Sequence, residues 1–330
     1  MSLSRFFGLY WPLPFPSLDG NTVPLHSPAF RRWLTHAFAQ NGYFPNPSQY
    51  GAVVRRLDED ARLHPAIHPV NIRSATIKPN TYRLDLANRE NEAIEINGKQ
   101  WSTTHNPDSR FRRPQASIPF PKPKETKAQI HKFLELIFNI SEPVAQTLVN
   151  WLVAAMLPDL KPPILVITGT ARNDAAAKLR NLLDPAMCPL NAQPVFASHY
   201  KQLAITNKAL AFSFGTILSK SHRDALRLLS TGVQVRLPEA PKGLDLAQEN
   251  VHRPIIVSAE EPIEISKSQI HVEINEARSA VPELLLGALL DAVVRGIHEM
   301  TRKTMPDVPC EFDVLPTPPQ HTIAMQAPYT

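Results

Sequence analysis

The residues from Pro162 to Pro185, PPILVITGTARNDAAAKLRNLLDP, carry the spacing that comes nearest to handling phosphate. Ile164, Leu165, Val166 and Ile167 are apolar and β-favouring, Thr168-Gly169 follows as a turn, and an Ala-rich, Leu-spaced run comes next. This is the strand, tight turn and helix order of a phosphate-binding loop, in which main-chain N–H groups and a helix N-terminus surround the anion and a lysine adds a full positive charge. The side chains for that chemistry are absent. Counting GxxxxGK[ST] from Gly169, the second glycine falls on Asp174, the lysine on Ala175 and the magnesium-binding hydroxyl on Ala176. Asp174 puts a carboxylate where phosphate would sit, and it is expected to cap the following helix by accepting the N–H of Ala176 or Ala177. Lys178 lies one helical turn beyond Ala175, too far back to replace the lysine, although Arg172 can bring charge toward the loop. An ordinary αβ turn accounts for the same stretch.

Other reactive residues offer little. His64 and His68 are four apart, but Pro65 and Pro69 oppose a helical pairing and no Cys or carboxylate cluster completes a zinc set. No metal and no cofactor are therefore expected. Cys188 and Cys310 form no metal or disulfide spacing, which fits a reducing cytoplasm. The chain contains no GxSxG, HExxH or CxxC, so hydrolase and redox readings have no sequence support.

Residues 99 to 128 hold the charge asymmetry. Lys99, Arg110, Arg112, Arg113, Lys122, Lys124 and Lys127 stand against Asp108 and Glu125, a local excess of five that equals the +5 of the whole chain. Trp101, Phe111 and Phe120 are interleaved with them. Cations that track a phosphate backbone and rings that stack on bases are what a single-stranded nucleic-acid groove requires, and single-stranded DNA is the favoured partner. A solvated, Pro-stiffened linker accounts for the same residues. Asp224 to Arg227, leading into Leu228-Leu229-Ser230-Thr231-Gly232, resembles the segment ahead of a DNA-approaching hairpin in helicases, which implies that Arg223, Arg227 and Arg236 meet phosphates; a solvated helix face accounts for them equally.

The elements that position these residues follow from periodicity. Residues 1–65 read as a helical region, with Ser27-Pro28 and Asn46-Pro47 starting helices that carry Phe30, Trp33, Leu34 and Phe38, then Tyr50, Val53, Val54 and Leu57. Residues 66–123 read as a small β-sheet plus a basic connector, with alternating runs broken by Lys78-Pro79-Asn80 and by the hairpin signal Asn97-Gly98. Residues 124–302 alternate strands and helices. Helices over Ile130–Ile137 and from Ser141-Glu142-Pro143 precede the strand before Gly169, further strands are expected at Lys208–Phe214 and Arg253–Ser258, and a last helix at 281–301. The expected fold class is α/β with a mostly parallel sheet, and 303–330 is a Pro-rich tail. The 33 prolines gather in the connectors and tail, and 43% hydrophobic with 20% charged residues is a globular composition. The opening MSLSRFFGLYWPLPFPSL is broken by Pro12, Pro14 and Pro16 and lacks a cleavage site, and no run approaches the roughly 20 apolar residues of a membrane span. A cytoplasmic location without a membrane partner is expected.

Taken in order, FRRPQASIPFPKP, NWLVAAMLP, PPILVITG with LRNLLDP, ALAFS, LLSTG, HRPIIVS and ELLLGALLDAV resemble the superfamily 3-like, AAA-type ATPase domain of bacterial primase-helicase-like proteins of phages and mobile elements. The resemblance covers roughly residues 20 to 302. It implies a P-loop NTPase-like, helicase-like fold and a role in mobile-element or phage replication. It also implies that the catalytic signature is lost, because the acidic residue of the Walker B strand matches Ser213 and the sensor asparagine matches Ser258. The element that would offer an arginine finger reads Glu264-Ile265-Ser266-Lys267-Ser268, without arginine. Such a finger is worth roughly 10³ to 10⁵ in rate, and the lysine and acid are needed besides. Three readings follow: an inactive helicase-like ATPase that binds nucleic acid or assembles into an oligomer, a scaffold that docks on an active ATPase paralogue or another partner, and an ATPase whose unorthodox site uses Arg172 or Lys178.

Overall fold

The computed structural model describes residues 17–18, 21–23, 25–63, 70–105, 110–114, 116–215, 218–236 and 248–304. Strands β1 (Ser17–Leu18) and β2 (Asn21–Thr22) precede helices α1 (Pro28–Gln40) and α2 (Pro47–Leu63). Ser27 caps α1 by accepting the N–H of Phe30 at 3.2 Å, and Phe30, Leu34 and Phe38 recur at helical spacing to bury one face. Val54 of α2 joins that cluster. After β3 (Val70–Asn71), the expected small sheet forms as an antiparallel meander of β4 (Ser74–Lys78), β5 (Thr81–Asp85), β6 (Glu92–Asn97) and β7 (Trp101–His105). The Asn97-Gly98 turn joins β6 to β7 and buries Ile94 and Ile96 on one face. Strand β8 (Arg110–Phe111) returns to pair with β2 and β3.

The second half alternates as the periodicity requires. Helices α3 (Ile130–Phe138) and α4 (Glu142–Met156) lead to β9 (Ile164–Thr168) and α5 (Arg172–Leu183). Then follow β10 (Asn191–Ala192), α6 (His199–Thr206), β11 (Leu210–Ser213), α7 (Lys220–Thr231), the antiparallel pair β12 (Val233–Arg236) and β13 (Gln248–Val251), β14 (Ile255–Ser258), β15 (Gln269–Glu273) and α8 (Pro282–Thr304). Five strands make one parallel sheet in the order β10-β11-β14-β9-β15. Strand β9 is buried on both sides, so its alternating residues serve two cores. Leu165 and Ile167 join α4, α5 and α8, whereas Ile164 and Val166 join Tyr200 of α6 and Leu226 and Leu229 of α7. The molecule is therefore α/β with helices on both faces of a parallel sheet. The sequence did not announce the edge strands β10 and β15, which are short or half-exposed and lack a continuous apolar run.

Helix α8 is also covered from the small sheet, since Tyr82, Leu84, Ile94 and Ile96 share a hydrophobic cluster with Leu286, Leu289, Val293 and Ile297. Gly287 lets the connector cross, because a Cβ there would collide with the main-chain carbonyl of Lys124. A buried ion group ties the residue before β4 to the end of α5. Arg73, in the left-handed region at φ 62°, donates Nε to Asp184 Oδ1 at 2.9 Å and Nη2 to the carbonyl of Pro185 at 2.9 Å. Asp184 also pairs with Arg180 at 3.3 Å and accepts the main-chain N–H of Lys208 at 2.8 Å. Burial lowers the Lys208 ammonium to about 7, with Arg253 adding to the fall and Asp184 and Asp159 opposing it.

Candidate functional site at the carboxyl edge of the sheet

In open α/β sheets, ligands bind beyond the carboxyl ends of the strands, where the strand order reverses. Here that edge carries the turn after β9 and the ends of β11 and β14, where Gly169, Ser213 and Ser258 lie. The connecting group is one the sequence reading overlooked. Asn173, in the first turn of α5, accepts the hydroxyl of Ser213 at 3.0 Å and that of Ser258 at 2.6 Å. Ser258 is fully buried, and its hydroxyl is satisfied by this single amide.

The turn itself is closed. Helix α5 begins at Arg172, so Arg172 and Asn173, which the motif would place in an open loop, are already helical. Gly169 has φ +96°, and a Cβ there would lie 2.5 Å from the carbonyl oxygen of Ile274, so only glycine fits under the chain that leaves β15. That chain supplies the acceptors. The N–H of Thr170 goes to Asn275 Oδ1 at 3.0 Å, the Thr170 hydroxyl to the Asn275 carbonyl at 2.9 Å, and the N–H of Ala171 to the Ile274 carbonyl at 3.1 Å. The N–H groups of Thr170 and Ala171 and the Thr170 hydroxyl are thus committed to protein oxygen.

Two expectations for this stretch, the Asp174 cap and an available Arg172, need correction. Asp174 does not cap α5. The N-cap position is Ala171, without a side-chain bond, and Asp174 instead pairs with Lys178 one turn on. The Asn275 side-chain oxygen and the Ile274 carbonyl serve the N–H groups of Thr170 and Ala171, just ahead of the helix. Ala175 and Ala176, at the motif's lysine and hydroxyl positions, lie with Leu179 and Leu183 on the buried face of α5. Arg172 is not free to replace a lysine: Nη1 turns back to the Gly169 carbonyl at 3.3 Å and Nη2 reaches Glu260 at 3.4 Å. Its Nε is buried without a hydrogen-bond partner among the described residues.

The proposed nucleic-acid residues do not form one continuous groove. Phe111 and Phe120 are 1% and 5% exposed, and the Phe120 ring lies 5.1 Å from the Arg73 guanidinium, so neither ring offers a face for a base. Their apolar area serves the core better than it would serve solvent. Arg113 forks onto the buried Asp85 at 2.7 Å and 2.8 Å, and Lys122 pairs with Glu92 at 3.0 Å, which holds that carboxyl below its usual range. Arg112 is half-buried and engaged, and the side chain of Arg110 lies outside the described residues. Trp101 is tied through Nε1 to Asp291 at 2.8 Å. Lys99, Lys124 and Lys127 remain exposed with no acidic partner among the described residues. On α7, Arg227 pairs with Asp224 at 3.0 Å and Arg223 is exposed, while the Arg236 side chain lies outside the described residues.

His64, His68, Cys310 and the Pro-rich tail also fall outside the described residues. Among the described residues, His131, Glu135 and Glu142 converge as potential metal ligands. The Lys132 ammonium already stands among them, 3.0 Å from Glu135 and 3.9 Å from Glu142. No helix among the described residues is long and apolar enough to cross a membrane.

No family model matches this chain, and no curated protein matches it. Among solved structures it is similar to the apo C-terminal region of NrS-1, with a TM-score of 0.33 at 11% identity. Two A-form apo structures of that region give a TM-score of 0.32 at 12% and 10% identity. In each case 63% of this chain covers 63% of the other, so the chain spans less than two thirds of those structures. At these scores the likeness is too weak to assign fold or function.

Proposed function

We propose that the parallel-sheet layer is a P-loop-type ATPase fold that no longer holds nucleotide, and that the chain acts as a binding or assembly subunit rather than as a motor. The observation that carries this is the bond from the Thr170 N–H to Asn275, which puts a protein amide where a phosphate oxygen would be received. The surrounding chemistry agrees with it. The positions of the lysine and the magnesium ligand are buried alanines, and the ends of β11 and β14 present two serines turned onto Asn173 instead of a carboxylate. The lysine for phosphate charge and the carboxylate for a metal are both replaced at their positions.

Calorimetry of the full chain with ATP and magnesium tests this. No binding heat is expected, and a micromolar dissociation constant would overturn the reading. If Arg172→Ala then abolished that binding, the unorthodox-site alternative would take its place.

A role on single-stranded nucleic acid is the second reading, favoured by the exposed cations Lys99, Lys124 and Lys127. Oligomer formation or docking on an active ATPase is the alternative way for such a subunit to work. Chromatography of the chain alone, and then with a single-stranded oligonucleotide, separates them, since only the nucleic-acid reading predicts a complex that dissolves as salt is raised.

A further inference from the structure

The turn between α3 and α4 brings three metal-ligating side chains into one place. His131 and Glu135 are four residues apart on α3, so helical geometry puts them on one face. Asn139, in the left-handed region at φ 48°, ends that helix, and its N–H returns to the Glu135 carbonyl. The chain then reverses, and Glu142, the first residue of α4, comes back toward His131. His131 Nε2 stands 3.9 Å from Glu142 Oε1, and one ligand atom from each of His131, Glu135 and Glu142 lies within 4.8 Å of the other two. The scaffold beneath is packed, since Leu134, Ile137 and Phe138 of α3 share a buried cluster with Ala145, Leu148 and Leu152 of α4.

Ordinary surface pairing explains part of this arrangement. Glu142 is an acidic residue in the first turn of a helix, where the helix dipole favours it, and Lys132 pairs with Glu135 at 3.0 Å and with Glu142 at 3.9 Å. Pairing does not explain the imidazole. The His131 side chain is only 15% exposed, yet its ring makes no hydrogen bond among the described residues, and Nε2 faces Glu142. A polar ring so largely covered normally has a bonded partner. The charges are also uneven: with the imidazole neutral, two carboxylates share one ammonium, and Lys132 leaves a negative charge uncancelled.

The donor set selects among cations. One imidazole nitrogen with two carboxylate oxygens suits zinc, whereas magnesium and calcium take oxygen ligands. Bonds of about 2.1 Å around a tetrahedral ion put its ligand atoms about 3.4 Å apart, so the three donors must close by about an ångström. The freedom to do so lies in Glu142 and Lys132, whose side chains are 66% and 53% exposed, while packing holds the less exposed His131 and Glu135.

We propose that His131, Glu135 and Glu142 bind one zinc ion, which displaces the Lys132 ammonium and takes water as its fourth ligand. The ion joins α3 to α4 across their turn and stabilises the folded chain by mass action.

The test titrates the full chain, carrying no affinity tag, with zinc chloride in a calorimeter, and with cobalt(II) chloride for the visible absorption of a tetrahedral nitrogen and oxygen site. A micromolar zinc dissociation constant and a raised thermal midpoint in zinc are expected. Glu142→Gln keeps the size of an exposed side chain and removes its charge, so the variant should fold. It should weaken zinc binding by about 10-fold or more, since even the groups behind metal ligands are worth that much. Lys132→Met removes the competing ammonium and should tighten binding. Undetectable zinc binding by the wild-type chain overturns the proposal. So does binding that stays the same in both Glu142→Gln and His131→Ala, which would place the zinc elsewhere on the chain. A response to magnesium equal to that to zinc would reveal only a diffuse acidic surface, and it would overturn the proposal as well.

Discussion

The side-chain oxygen of Asn275 accepts the main-chain N–H of Thr170 at 3.0 Å, across 105 residues of chain. The turn after β9 is thereby saturated by its own protein. Asn275→Ala is expected to destabilise the fold by about 0.5–1.5 kcal/mol, the net value of one such bond, without creating nucleotide affinity, since no lysine stands behind the turn. Urea unfolding measures the first part and calorimetry the second, and ATP binding by the variant would mean that Asn275 alone had blocked a working site.

Asp174 and Lys178 form an exposed pair one helical turn apart, and the Asp174 side chain is 60% exposed. Asp174→Ala should therefore cost only about 0.3–0.5 kcal/mol, and the loss should shrink in high salt as surface pairs are screened. A salt-independent loss near 2 kcal/mol would be the signature of a cap and would restore the role first expected for this residue.

The Arg73–Asp184 pair is a different case, with side chains only 2% and 5% exposed. Removing one partner leaves the other charge buried, so Arg73→Met is expected to cost about 3 kcal/mol in urea unfolding. Asp184 retains Arg180, which keeps the loss at the low end. The double variant Arg73→Met, Asp184→Leu should lose less than the sum of the single ones, as residues sharing a bond do.

Lys208 makes stability depend on pH. Its folded value, about 7, lies below the ordinary 10.5, so between those limits the unfolded chain binds more protons than the folded one and stability rises as pH increases. Below about 7 the full cost of charging the buried ammonium is present. Chemical denaturation at pH 7 and pH 9.5 should show the increase, and Lys208→Met should flatten it. An unchanged slope in the variant would assign the effect to other groups.

For nucleic acid, the burial of Phe111 and Phe120 and the pairing of Arg113 and Lys122 leave fewer contacts than the sequence count implies. If Lys99, Lys124 and Lys127 carry the affinity, the log–log salt slope on single strands should be about −2, following −0.7 per phosphate. Replacing all three by Ala should abolish the slope, and a slope near −3.5 would require that the paired arginines open.

Much of the scaffold was legible from local pattern. Ile164 to Ile167 read as an apolar strand, the Ala-rich, Leu-spaced run after Gly169 read as a helix, and Asn97-Gly98 read as a hairpin. The absence of a lysine at Ala175 and of an acid at Ser213 was equally plain, since residue identity needs no structure. Periodicity and turn chemistry are set by neighbours a few residues apart, so they survive in the sequence.

What occupies the site is set by residues far apart in the chain, and only the tertiary structure decided it. Parallel strands require long crossovers, and these bring Asn275 to Thr170 and Ser213 and Ser258 to Asn173 with no local signal at either end. The same holds for the basic stretch. Its charge and rings are evident in sequence, but whether a ring meets solvent or core depends on the surface packed against it, and here Arg73 and the surrounding core claim Phe120.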